Sequence, residues 1–213
     1  MNTALQLLAL MPSWMDPNWL LERYGQDLFW VALIIIFIEC GLLFPILPGD
    51  ALLFSLGLFI KRAASGDPGV DINIVVACVT LSVVAFLGNV SGYEIGRAAG
   101  PGLHRWRFLK EEWFVKTHEF FERYGNRALV LGRFVPIVRT FVTVVAGIGE
   151  MERRRFWTWS AIGAALWATG LTLLGYALGN ITFLRHNIEA AVLVIVLFSV
   201  TPMVFEFWRH RRA

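Results

Sequence analysis

Long apolar runs separated by short charged ones dominate this chain. Residues 72–93, from "INIVVACVT" to Tyr93, carry no charge, and residues 156–184 carry none either. Residues 188–208 contain only Glu189 and Glu206, one near each edge. A helix needs about 20 apolar residues to cross a bilayer, so each of the three predicts a transmembrane span. Two further apolar regions, about 29–60 and 128–149, are different. The first is interrupted by "FPILPGD", Phe44 to Asp50, which places Pro45, Pro48, Gly49 and a carboxylate inside an otherwise apolar stretch. The second, "ALVLGRFVPIVRTFVTVVAGIG", holds Pro136 between Arg133 and Arg139.

A proline inside a helix removes one backbone donor and strands a carbonyl. Such a group facing lipid costs several kcal/mol, so a broken segment persists only against protein or a wet cavity. Both regions are therefore expected to be re-entrant helical hairpins that line an interior. Between the two halves, "LHRWRFLKEEWFVKTHEFFERYG" sets Trp106, Leu109, Trp113, Phe120 and Tyr124 at helical spacing among charged residues. That pattern predicts an amphipathic interfacial helix over about 103–125, with packing on the protein's own face as the simpler alternative. Near the start, Asp16 before Pro17 is a cap and first-turn pair for a short surface helix through "NWLLERY".

The halves also echo one another. "FPILPGDALLFSLG" (44–57) resembles "FVPIVRTFVTVVAG" (134–147), and "GYEIG" (92–96) resembles "GYALG" (175–179). Each half reads as a broken hairpin followed by a glycine-bearing span. The predicted fold is thus all-α: one integral membrane domain over 1–213 with pseudo-inverted repeats at about 29–97 and 128–180, and a last span at about 188–208. Spacings such as Gly88 with Gly92 and Gly92 with Gly96 permit close backbone approach. Packing alone accounts for these glycines as readily as a ligand role does.

Composition supports the membrane assignment and narrows the chemistry. Hydrophobic residues make up 57% of the 213 and charged residues 16%, with a mean hydropathy of +0.61. The opening residues lack the basic start of a secretory signal, so no cleavage is expected. The net charge of +3 comes from clusters such as "ERRR" (152–155) and "RHRR" (209–212) that flank apolar runs. They read as cytoplasmic anchors, which puts the C-terminus in the cytoplasm and requires no nucleic-acid partner. Arg97 and Glu94, at the inner end of the first charge-free span, are expected to be an interfacial anchor or a local ion pair. Cys40 and Cys78 lie in apolar segments and read as small buried side chains. The four histidines, His104, His118, His186 and His210, show no metal-ligand spacing, and neither a metal nor a cofactor is expected.

Four ionisable residues fall in the broken segments: Glu39, Asp50, Arg133 and Arg139. Insertion scales put each at about 2.5–3.5 kcal/mol, so four uncompensated charges cost roughly 10–14 kcal/mol. They must meet each other, water or a ligand. Ion pairs that only brace the hairpins are the structural alternative. However, buried pairs are often replaceable by apolar residues without loss of stability, so a site explains them better. An arginine fork donates two parallel bonds to phosphate oxygens and keeps its charge when desolvated, which suits Arg133 and Arg139 to a phosphate headgroup. Burial favours the protonated form of a carboxyl and a neighbouring guanidinium the ionised form. Glu39 and Asp50 could then exchange protons as an anion enters or leaves. Moving an anion toward a negative interior is opposed by about 2.3 kcal/mol per charge per 100 mV, which a co-transported proton cancels.

The segments "ECGLLFPILPGD", "GNVSGYEIGRAAG" and "GRFVPIVRTFVTVVAGIGEM" together resemble the DedA family, also called the SNARE-associated Golgi protein or VTT-domain family, over about residues 25–180. The resemblance implies a bacterial inner-membrane protein with two opposed re-entrant hairpins, an acidic pair at Glu39 and Asp50, and an arginine pair at Arg133 and Arg139. It also implies lipid translocation: return of undecaprenyl phosphate linked to the proton motive force in bacterial members, phospholipid scrambling in eukaryotic ones. Here "PGD" carries Asp where many members carry Glu, a shorter reach. The residues after 185 match in length but not by motif.

The function expected is therefore a proton-linked flippase for undecaprenyl phosphate or a related phosphate-bearing lipid. A proton-driven exporter of small molecules or cations, which would need the acids and tolerate loss of the arginines, is the alternative, as is a passive phospholipid scramblase. Catalysis is not expected: "PGD" has no second matching Asp in a span, and no Ser/His pair or metal spacing accompanies it.

Overall fold

The computed structural model describes residues 17–41, 49–99, 111–134 and 136–180, and every regular element among these residues is helical, without strands. Its α-helices are α1 (Pro17–Tyr24), α2 (Leu28–Gly41), α3 (Gly49–Ala64), α4 (Ile74–Ala99), α5 (Glu111–Tyr124), α6 (Ala128–Leu131), α7 (Pro136–Ile148) and α8 (Arg153–Leu178). Short 3-10 turns at Gly25–Asp27, Gly125–Arg127 and Gly132–Phe134 join α1 to α2, α5 to α6 and α6 toward α7. The expected last span at 188–208, the basic C-terminus, Pro45, Pro48 and the first turns of the 103–125 helix lie outside the described residues.

Helices α4 and α8 are long enough and apolar enough to cross a membrane. So is the run Trp19–Gly41, which joins α1, its 3-10 turn and α2. The apolar region expected from about residue 29 thus extends back to Trp19, because α1 and its 3-10 turn run on into α2. Both α4 and α8 show apolar side chains on the outside as well as the inside. Val75, Val76, Val79, Val83 and Leu87 are exposed on α4, and Trp157, Ile162, Leu166, Leu173 and Leu174 on α8. A helix that is apolar all round belongs in a core or a bilayer, and the outward faces have no protein against them here.

Hydrogen bonds show which helix ends share a side. The Gln26 side chain at the start of α2 donates from Nε2 to the Gly69 carbonyl at 3.0 Å and accepts from the Asp71 N–H at 2.8 Å. The Val70 N–H donates to the Phe59 carbonyl of α3 at 3.3 Å, and Asn73 caps α4 by accepting from the Val75 N–H at 2.8 Å. The beginning of α2, the end of α3 and the beginning of α4 thus lie together. At the far end of α2, Phe37, Cys40 and Gly41 meet Gly88, just beyond the middle of α4. In the second half the corresponding group is at the opposite end of α4. Tyr93 donates to the Met151 carbonyl between α7 and α8, and Phe156 stacks on Tyr93 at 4.2 Å. Ala128 of α6 belongs to the same cluster.

Contacts between the halves depend on small residues. A Cβ on Gly57 of α3 would fall 1.9 Å from the Thr172 carbonyl oxygen, and one on Gly175 of α8 would fall 2.0 Å from that of Phe54. On the other side, Cβ atoms on Gly96 of α4 and Gly147 of α7 would fall 2.4 Å from the Val144 oxygen and 2.2 Å from the Tyr93 oxygen. The second helix of each broken segment therefore packs backbone to backbone on the long helix of the other half, the geometry small residues allow. A second echo in the chain went unread: "ERYGQ" (22–26) and "ERYGN" (122–126). Each places a tyrosine before a 3-10 turn whose glycine has φ near +55°, at +53° for Gly25 and +55° for Gly125. That is a left-handed conformation only glycine adopts without cost.

The main apolar core runs between α2, α3, α4 and α8, through Leu28, Ile36, Leu53, Leu56, Leu81 and Ala164. Helix α5 packs on α7, with Phe120 against the Tyr93 cluster and Thr117 buried.

Candidate functional site

Two broken segments and one long helix meet at Arg139. From α7 its guanidinium donates through Nη2 to Glu39 Oε1 of α2 at 2.7 Å and through Nη1 to Asp50 Oδ1 of α3 at 2.6 Å. Trp167, midway along α8, donates from Nε1 to the same Asp50 oxygen at 2.8 Å. Its ring lies under two cations at once: the Arg139 guanidinium carbon is 5.6 Å from the ring centroid and that of Arg133 is 5.7 Å. Three of the four predicted charges therefore form one ion-paired group, and the fourth joins it through an indole. Cation–π contacts of this kind gain strength where water is excluded.

Local sequence explains how the groups fit. Glu39 sits two residues before the end of α2, and Gly49 opens α3, where the first turn faces Glu39. A Cβ on Gly49 would fall 2.0 Å from Glu39 Oε2, so only glycine lets this carboxylate lie against the helix start. Gly163 does the same for Arg133: a Cβ there would fall 3.0 Å from Arg133 Nε and 2.9 Å from the Leu129 carbonyl oxygen. Pro136 is the first residue of α7, where its missing N–H costs nothing. It opens a helix instead of kinking one. Gly92 faces Thr143, with its would-be Cβ 2.9 Å from Oγ1.

Burial is uneven across the group. Glu39 and Arg133 are 6% and 5% exposed, whereas the Asp50 side chain keeps 25% of its surface. Among the described residues Glu39 Oε2 and Arg133 Nε have no side-chain hydrogen-bond partner, and the Gly49 backbone N–H is the further donor to the Glu39 carboxylate. Among the described residues no carboxylate lies within ion-pair distance of Arg133; its nearest polar neighbour of note is the Cys40 thiol. Leaving buried polar atoms unpaired is costly.

Two sequence readings change. Glu94 pairs with Arg153 at the start of α8, through Nε at 2.9 Å and Nη2 at 3.0 Å, and not with Arg97. Arg97 instead donates to the Tyr93 hydroxyl at 2.8 Å, one turn back on its own helix. A local ion pair is one of the two expectations for these residues, and Glu94 finds it with Arg153 of α8 through a two-bond fork. Trp167 was missed. A signal existed: tryptophan favours membrane interfaces, and this one falls in the middle of a charge-free span.

These features define a polytopic, all-helical membrane protein with a charged group in its interior. The VTT domain family matches residues 47–177. The chain is 41% identical to the uncharacterized membrane protein Rv0364 of Mycobacterium tuberculosis, with all of this chain and 93% of the relative covered. It is 36% identical to protein DedA of Escherichia coli, covering 91% and 88% of the two chains, and 33% identical to the inner membrane protein YqjA of the same species, covering 84% and 80%. No solved structure matches. The chain belongs to the DedA family of VTT-domain membrane proteins.

Proposed function

We propose that this protein carries a phosphate-bearing lipid, such as undecaprenyl phosphate, between the leaflets of a bacterial inner membrane together with protons, without making or breaking covalent bonds. The observation that carries the reading is the interior group itself: one arginine held by two carboxylates, beside a second that meets no carboxylate among the described residues. A phosphate can take the Arg133 fork outright and compete for Arg139, and its charge replaces that of an acid that protonates. Glu39 and Asp50 are the proton-handling residues in this reading, and Arg133 and Arg139 bind the headgroup.

Support for opposed re-entrant hairpins comes from the chain path. Segment 28–64 begins and ends beside the start of α4, and segment 128–148 begins and ends beside its other end. The end of α2 and the starts of α3 and α7 come together through Glu39, Asp50 and Arg139, which supports the plan expected of inverted repeats. The basic residues Arg97, Arg153, Arg154 and Arg155 favour the cytoplasmic side for the second of these ends.

Full-length protein in proteoliposomes tests the reading. A labelled polyprenyl phosphate placed in one leaflet should cross faster than in protein-free vesicles, faster still under an imposed pH gradient, and not with Arg139→Ala. Equal movement of zwitterionic phospholipid, insensitive to the gradient, would establish a passive scramblase instead. Proton-driven export of soluble cations by the Arg139→Ala variant would establish the exporter.

A further inference from the structure

Trp167 touches three of the four interior charges, and it treats the two acids differently. Its N–H shares Asp50 Oδ1 with Arg139, whereas Glu39 has Arg139 on Oε1 and, among the described residues, no side-chain donor on Oε2. If an anion draws Arg139 away, Asp50 keeps the indole donor and 25% of its side-chain surface, whereas Glu39, 6% exposed, keeps only the backbone N–H of Gly49. The more deeply buried carboxylate with no side-chain donor left is the costlier one to keep charged. We propose that Trp167 is a positioning residue that makes the acids unequal: its ring face holds both guanidinium groups for the headgroup, and its N–H fixes Asp50 as the permanent counter-charge, so that Glu39 alone exchanges the proton. The inference rests on the carrier reading above.

Every charged or titratable group facing Glu39 agrees with this division. On its own helix the neighbour is Cys40; across from it are Asp50 on α3, Arg139 on α7 and Arg133 before α7. When Arg139 turns to the phosphate, a proton from water that enters with the headgroup neutralises Glu39. When the headgroup leaves, Arg139 returns and the proton departs to water on the other side. Asp50, more exposed and bonded at one oxygen by both Arg139 and Trp167, keeps the Trp167 bond throughout. Glu39 is also the acid pressed against the start of α3 at Gly49, with no room for a further side-chain donor there.

Two Trp167 variants separate its two parts. Trp167→Phe keeps an aromatic face and loses the donor; Trp167→Gln keeps a donor and loses the face. Transport of labelled polyprenyl phosphate in proteoliposomes is measured against its mole fraction, with and without a pH gradient. Losing the face beneath two cations should raise the half-saturating fraction about tenfold in the Gln variant. The Phe variant should keep half-saturation within about twofold and lose about tenfold in maximum rate, because Asp50 is left bare when Arg139 moves. Glu39→Gln should move lipid at a rate that ignores the gradient, whereas Asp50→Asn should be slower yet still respond to it. Phe and Gln variants that shift together, or a gradient response lost with Asp50→Asn and kept with Glu39→Gln, would overturn the assignment while leaving the carrier standing. Wild-type protein that moves no phosphate-bearing lipid would remove the carrier reading, and this inference with it.

Discussion

Gly49 and Glu39 face each other so closely that a methyl group on Gly49 would lie 2.0 Å from Glu39 Oε2 and 2.7 Å from its carboxyl carbon. The contact joins the two helices of the first broken segment, and its partner atom is an ionisable group in the interior. Gly49→Ala must push the carboxyl aside, and with it the bond to Arg139. Alanine is the better helix former by about 1 kcal/mol, so a purely local view predicts stabilisation. The expected result is the reverse: a lower thermal midpoint in detergent and loss of activity, recovered in part by Gly49→Ala with Glu39→Ala as far as stability goes. An unchanged midpoint for the single variant would contradict the contact.

Arg139 neutralises two carboxylates, so its removal strands both. Arg139→Gln should cost about 3–5 kcal/mol, as breaking buried pairs does. Adding Glu39→Gln and Asp50→Asn removes the stranded charges and should restore most of that loss without restoring transport. Unfolding and transport of the single and triple variants check the split between them.

Crossing backbones at Gly57 and Gly175 leave no room for a side chain on either helix. Gly57→Leu should separate α3 from α8 and draw Asp50 away from Trp167, with a cost of about 1–3 kcal/mol or failure to fold, as overpacking does. Gly66 lies in the connection to α4, and a Cβ built there meets nothing within 4 Å. Its left-handed φ of +85° makes Gly66→Ala a strained variant, but one that leaves the helix crossing intact. Crosslinking between cysteines introduced on α3 and α8 should fall with Gly57→Leu and persist with Gly66→Ala.

Tyr93 is fully buried and holds the turn between α7 and α8 through the Met151 carbonyl, with Arg97 donating to its hydroxyl. Tyr93→Phe retains the stack on Phe156 and leaves the Met151 carbonyl and Arg97 Nη1 only their longer bond to each other, at 3.4 Å. A loss of about 1–3 kcal/mol is expected in unfolding measurements. The exposed Glu94–Arg153 pair at the same end should matter far less, and Glu94→Gln should leave the midpoint nearly unchanged.

Much of this architecture was legible before any coordinates. A charge-free stretch longer than a bilayer needs can hardly be anything but a buried or lipid-facing helix, so α4 and α8 follow from composition along the chain. Four charges inside apolar segments had to find partners, because the cost of leaving them bare rivals the stability of a domain. Those are properties of residue type and order, and Glu39, Asp50, Arg133 and Arg139 could be named from them alone. Which charge meets which depends on how helices far apart in sequence lie against each other. Arg139 takes both acids and Arg133 neither, Glu94 prefers Arg153 to its own neighbour Arg97, and Trp167 enters the group from a helix that shows only apolar periodicity. Hydrogen bonds act over about 3 Å, and distances of that scale are set by glycine crossings such as Gly57 on α8 and Gly147 on α4. The linear pattern therefore determined what the interior must contain, and only the packing of helices decided how those contents are paired.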